Sequence, residues 1–219
     1  MIVIYNLKGG LYLSQNMREE AESSFKKALQ ANPDYLRSYY ALARLYLSGN
    51  NPDEAIVQYE SIIEKKPKET GAHMMLGTIY DLKKRFDLSE KHYRAALDIK
   101  PDFAPAANNL AYLLSMQGKN LDEALEYARK AKEKLPEEPS VMDTLGWIYY
   151  KKGLYDSAIG EFEDSLEKLP DNPTVNYHLG MAYYQKGEKA RAKKQLEKAI
   201  NLAKDFDGAD EARSVLSKL

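Results

Sequence analysis

Cysteine is absent from the 219-residue chain, which excludes disulfide frameworks and thiolate metal sites. No apolar run approaches the roughly 20 residues that cross a bilayer. The opening MIVIYNLKGG lacks the basic start and cleavage region of a secretion signal. The chain therefore reads as soluble, cytoplasmic or periplasmic. An excess of positive charge is missing too: 32 Lys and Arg stand against 33 Asp and Glu. That balance speaks against a protein that tracks nucleic-acid phosphates. Histidine occurs three times, at His73, His92 and His178, and no two share a metal-binding spacing. There is no HExxH, no phosphate-cradling loop and no strand-associated GxGxxG. This inventory contains no catalytic constellation, and the expectation is a protein that binds rather than reacts, with no cofactor or metal.

What the chain does contain is a period. Pro33, Pro67, Pro101, Pro136 and Pro170 are spaced 34, 34, 35 and 34 residues apart. Small residues keep the same rhythm at Gly9, Ala43, Gly77, Ala111, Gly146 and Gly180, and again at Ala21, Ala55, Ser89, Ala124, Ala158 and Ala192. A fourth track runs Tyr12, Tyr46, Tyr80, Leu114, Tyr149 and Tyr183, and a fifth Phe25, Tyr59, Tyr93, Ala128, Phe162 and Leu196. The single added residue falls in GKNLDEA, where a turn would absorb it.

Within each copy the spacing predicts a helical hairpin. Tyr39, Leu42, Ala43 and Tyr46 fall at i, i+3, i+4 and i+7 of a first helix. SGNNPDEA then interrupts it, with Gly49 suited to a left-handed cap, Asn51 to an N-cap and Pro52 to the next first turn. Ala55, Tyr59 and Ile62 stripe the second helix. Small residues mark the crossing of the two helices, and stacking on neighbours completes a core that one hairpin cannot bury. The expected copies are residues 2–35, 36–69, 70–103, 104–138, 139–172 and 173–206. Residues 207–219, with Asp207 as N-cap, form a closing helix whose polar face meets solvent.

These tracks resemble the tetratricopeptide repeat over residues 2–206. The stretch from PSVMDTLGWIYY to KKQLEKA and the ending FDGADEAR are similar to bacterial members linked to exopolysaccharide export and envelope protein sorting. The resemblance implies an all-α fold: a right-handed superhelical solenoid of six hairpins plus a capping helix, read as one domain over 1–219. It also implies that first helices line a concave face. Positions there not used for packing are the candidate partner-binding residues: Arg37, Tyr40 and Arg44, Met74 and Asp81, Asn108 and Tyr112, Asp143, Trp147 and Tyr150, and Tyr177, Met181 and Tyr184.

Two readings of these positions stay open. Trp147 and Tyr150, with Tyr177, Met181 and Tyr184, have the composition of a binding hot spot. Alternatively, Trp147 and Tyr150 pack between adjacent first helices. Arg37 and Arg44 suit a ligand carboxylate, or pair internally with Asp81 or a nearby glutamate. His73 occupies the packing slot of Tyr5 and Tyr39, His92 is expected to face solvent, and His178 to edge the groove.

The leading expectation is a non-catalytic scaffold that holds a peptide or helix of a protein partner in its groove. The alternatives are a docking or regulatory segment of a larger enzyme or export system, and a self-assembling structural protein. The apolar start IVIY leaves no room for an N-cap. It suggests further repeats upstream, or an amino-terminal edge that meets another subunit.

Overall fold

Helix formation follows the periodic apolar stripes, and each first helix is ended by a left-handed residue. The structure is a computed structural model and describes all residues, 1–219. It is an all-α solenoid of paired helices with no strand. The chain falls into two compact units, Met1–Pro101 and Asp102–Leu219. The first holds α1 (Ile2–Ser14) with α2 (Arg18–Ala31), α3 (Leu36–Ser48) with α4 (Pro52–Lys65), and α5 (Thr70–Leu82) with α6 (Phe86–Ile99). The second holds α7 (Ala104–Met116) with α8 (Leu121–Lys134), α9 (Pro139–Lys151) with α10 (Tyr155–Lys168), and α11 (Pro173–Gln185) with α12 (Lys189–Leu202), then α13 (Ala209–Leu216). Every first helix has 13 residues and every second helix 14. The first helices begin at residues 2, 36, 70, 104, 139 and 173.

The turn inside the second hairpin differs from expectation by one residue. Gly49 keeps a negative φ of −96°, and Asn50 takes the left-handed conformation at φ 59°. The same place in the other copies is Asn16, Lys84, Gly118, Gly153 or Gly187, a further track of the period. Asparagine and glycine tolerate that conformation at least steric cost. The added residue of the fourth copy is absorbed by a second left-handed position, Asn120 at φ 45°. Asn51 stands at the N-cap of α4 without a side-chain cap bond, whereas Asn172 accepts from the Val175 N–H at 3.2 Å. The closing helix begins at Ala209 after Gly208, whose φ of 98° makes it the cap in place of Asp207.

The small-residue track sets how closely the helices approach. A Cβ on Gly146 would lie 2.7 Å from the Phe162 ring, and one on Gly77 2.6 Å from the Tyr93 ring. Bare backbone therefore lets an aromatic side chain lie flat on the partner helix. Phe162, Ala158 and Ala192 are wholly buried in the second unit, as are Ala55 and Ile62 in the first.

Exposed charges also follow the period. Lys83 pairs with Asp53, Lys152 with Asp122 and Lys186 with Asp156, each lysine reaching back 30 residues to the preceding second helix. Such solvent-exposed pairs fix register more than they add stability.

Candidate peptide-binding surface

Within the second unit α7, α9 and α11 touch in succession while α8, α10 and α12 do not touch one another. First helices therefore line the inner side of this unit. In the first unit α1 and α3 touch, and α2 and α4 do not.

The candidate residues of the first unit remain accessible. Arg37 and Arg44 are exposed, and Tyr40, Met74 and Asp81 are half-buried. Neither arginine forms an ion pair, so internal pairing with Asp81 or a glutamate does not occur. Asp81 stands without a paired cation, and burial pushes its carboxyl above the usual range. Tyr40 donates to Glu69 Oε1 at 3.2 Å and meets the Tyr59 ring edge-on at 5.9 Å. Burial, reinforced by the Glu69 carboxylate, raises its phenol pKa.

The aromatic half differs from its expected exposure. Trp147 is 5% exposed, Tyr177 3% and Met181 2%. All three belong to the hydrophobic core of the second unit, with Tyr112, Tyr150 and Tyr184 packed partly against it. The Trp147 indole stacks on His178 at 4.1 Å and on Tyr150 at 4.9 Å, with Lys151 Nζ 4.7 Å from its centre. The packing alternative therefore describes Trp147. Tyr177 is covered by the chain's end: its ring lies 5.8 Å from that of Phe206, and its hydroxyl donates to Glu211 at 2.7 Å. Burial, assisted by Glu211, raises its phenol pKa. Asn108 is buried with Oδ1 unpartnered. Trp147 Nε1 is likewise unpartnered, and a buried N–H of this kind accounts for a real cost in stability. Because the ring is covered, Trp147 emission should be blue-shifted and resist acrylamide quenching. Quenching as efficient as that of free indole would contradict this burial.

The histidines also sit elsewhere than expected. His178 is 3% exposed and bonds Asp143 through Nδ1 at 2.7 Å, so both are held by the core. His92 is buried, not solvent-facing, because it stacks on Tyr80 at 5.6 Å. His73 is half-buried; its Nε2 donates to the Pro67 carbonyl at 3.1 Å, so its Nδ1 accepts from His92 Nδ1 at 3.1 Å. Three-residue groups of His, Cys, Asp and Glu suited to a metal do not occur, and no helix is long and apolar enough to cross a membrane.

The edge of α1 carries an apolar stripe. Val3, Ile4, Leu7 and Leu11 are each more than half exposed. The slots of Ile4 and Leu11 recur at Ser38 and Leu45, Ala72 and Ile79, Val141 and Ile148, and Val175 and Ala182, all buried. There a preceding second helix covers them.

Comparison with known proteins agrees with this geometry. Tetratricopeptide repeat models match residues 12–80, 70–103 and 173–206, and a TPR repeat model matches 146–187. A segment of 73 residues is 38% identical to the TPR repeat-containing protein PA4667 of Pseudomonas aeruginosa. It spans 32% of this chain and only 12% of that relative. PilF of Pseudomonas aeruginosa superposes with a TM-score of 0.77 at 19% identity, covering 97% of this chain and 96% of its own. A tetratricopeptide repeat protein of Parabacteroides merdae gives 0.79 at 17% identity, over 98% and 85%. At such identities these likenesses speak to fold alone. Six hairpins of constant helix length, the small-residue and aromatic tracks and the model matches together show that the chain belongs to the tetratricopeptide repeat family.

Proposed function

We propose that the protein is a non-catalytic scaffold that holds a peptide or helical segment of a protein partner against its first helices. The observation that carries this reading is the α3 face. Arg37 and Arg44 stand exposed there without an ion pair, on the same helix as the half-buried ring of Tyr40. Unpaired guanidiniums beside apolar surface suit recognition of a mixed acidic and apolar segment. The second unit has an accessible surface of its own on its first helices, formed by parts of Tyr112, Asp143, Tyr150 and Tyr184. Trp147, Tyr177 and Met181 support them from beneath.

Selection from a displayed peptide library tests the reading. The parent should enrich segments that carry Asp or Glu next to apolar residues. The double variant Arg37→Glu, Arg44→Glu, with its helical content intact, should lose that enrichment. If the parent enriches nothing, or both proteins enrich the same sequences, the scaffold reading fails.

A further inference from the structure

One slot of the repeat differs sharply in size from copy to copy. Gly10, Arg44, Thr78, Tyr112, Trp147 and Met181 are equivalent by the period. In the second unit this slot is filled from within, since the Trp147 indole stacks on α11 and is almost fully covered. In the first unit the same slot on α1 holds Gly10, and a Cβ built there meets no atom within 4 Å. What remains is a pocket of about 560 Å³ between α1 and α3. Leu13, Phe25 and Leu47 give it apolar walls, and Asn6, Arg44 and Ser48 are its polar members. The volume lies in the range of sites that take a large side chain or a small ligand.

The charge around this pocket has one sign. Arg44 lines it and has no ion pair. The Arg18 guanidinium donates to the Leu45 carbonyl at 2.6 Å and to Ser48 Oγ at 3.1 Å. Both acceptors line the pocket, and Arg18 has no carboxylate partner either. None of the lining residues is acidic. Asn6 is held by Ser38, whose hydroxyl donates to its Oδ1 at 3.1 Å. The site is thus an open, mainly apolar pocket with two cations and no anion at its rim.

We infer that this pocket is the anchor of the scaffold: it takes an aromatic side chain of a partner segment, with an adjacent Asp or Glu side chain bound by Arg44. The partner's ring occupies the space that Trp147 fills from within in the fifth copy. The inference rests on the scaffold reading and narrows it to α1 and α3, within the amino-terminal unit. The covered aromatic half then serves as a rigid, self-filled counterpart.

The test uses end-capped peptides, so that no terminal carboxylate contributes, containing Phe-Glu in a Gly-Ser context. Binding is followed by amide chemical shifts of the labelled protein. The Phe-Glu peptide should bind with a dissociation constant on the order of 1 mM or tighter, and the shifts should map to α1 and α3. Gly10→Trp should keep its helical content and reduce binding at least about tenfold, because its own ring fills the cavity. Arg44→Gln, and separately Phe-Gln in place of Phe-Glu, should each weaken binding about fivefold. The two changes together should cost little more than either alone.

Undiminished binding to Gly10→Trp, or equal binding of Phe-Gln, overturns the assignment. So does equal binding of 3-phenylpropionate, which would make the pocket a small-acid site. If acidic peptides shift only helices outside α1 and α3, the anchor falls and the scaffold stands. If no peptide of an acid-rich set shifts any amide, both fall.

Discussion

Phe162→Ala should cost about 3–5 kcal/mol of unfolding free energy, the range for emptying the space of a buried aromatic. Phe162 is fully buried, and its ring lies against the bare backbone of Gly146 where α9 and α10 cross. The complementary change, Gly146→Ala, places a methyl 2.7 Å from that ring and should cost about 1–3 kcal/mol through overpacking. The two effects should not add. The fourth copy has Ala111 facing the slot of Ala128, both buried. In a Phe162→Ala background, Gly146→Ala should therefore cost nothing, or recover up to about 1 kcal/mol of helix propensity. Urea unfolding of the four proteins measures the coupling. Strict additivity would show that the close approach contributes nothing.

Acid should weaken the amino-terminal unit through His92. Burial, then the neighbouring His73 and Lys91, holds its imidazole down at about 4, against 6.5 for a free histidine. Above pH 6.5 neither folded nor unfolded chain binds this proton. As the pH falls below 6.5 the unfolded chain takes it up, while the folded one resists until about 4. Stability is therefore present above 6.5 and lost progressively down to about 4, by about 2–3 kcal/mol in total. The groups packed around His92 fit this sign. Tyr80 covers the ring, and no carboxylate is hydrogen-bonded to it to favour the charged form. Exposed carboxylates also titrate in this range, so the comparison is with His92→Gln. Between pH 7 and 4.5 the parent should lose about 2 kcal/mol more than this variant. Parallel stability curves would remove His92 as the cause.

Much of this architecture was legible before any coordinates. The 34-residue tracks of Gly146, Tyr149, Ala158 and Phe162 and their equivalents fix where helices start, cross and stop, because each slot meets the same neighbours in every copy. Local turn chemistry is legible to within one residue: in the second copy the left-handed position falls on Asn50 and not on Gly49, and in the third copy it falls on Lys84, which composition would not suggest. Gly208 took the cap of α13 because only a residue without a side chain fits against the Tyr177 ring.

Exposure was a different matter. Gly10 and Trp147 occupy one slot, yet one leaves a cavity and the other is buried beneath His178 and Tyr150. His92 was covered by Tyr80, and Tyr177 by Phe206 and Glu211. The sequence by itself determined the repeat, its register and the all-α fold, since these follow from periodicity along one chain. Only the tertiary structure decided which variable slots stay open, because that depends on the volume of side chains brought in from the adjoining helix.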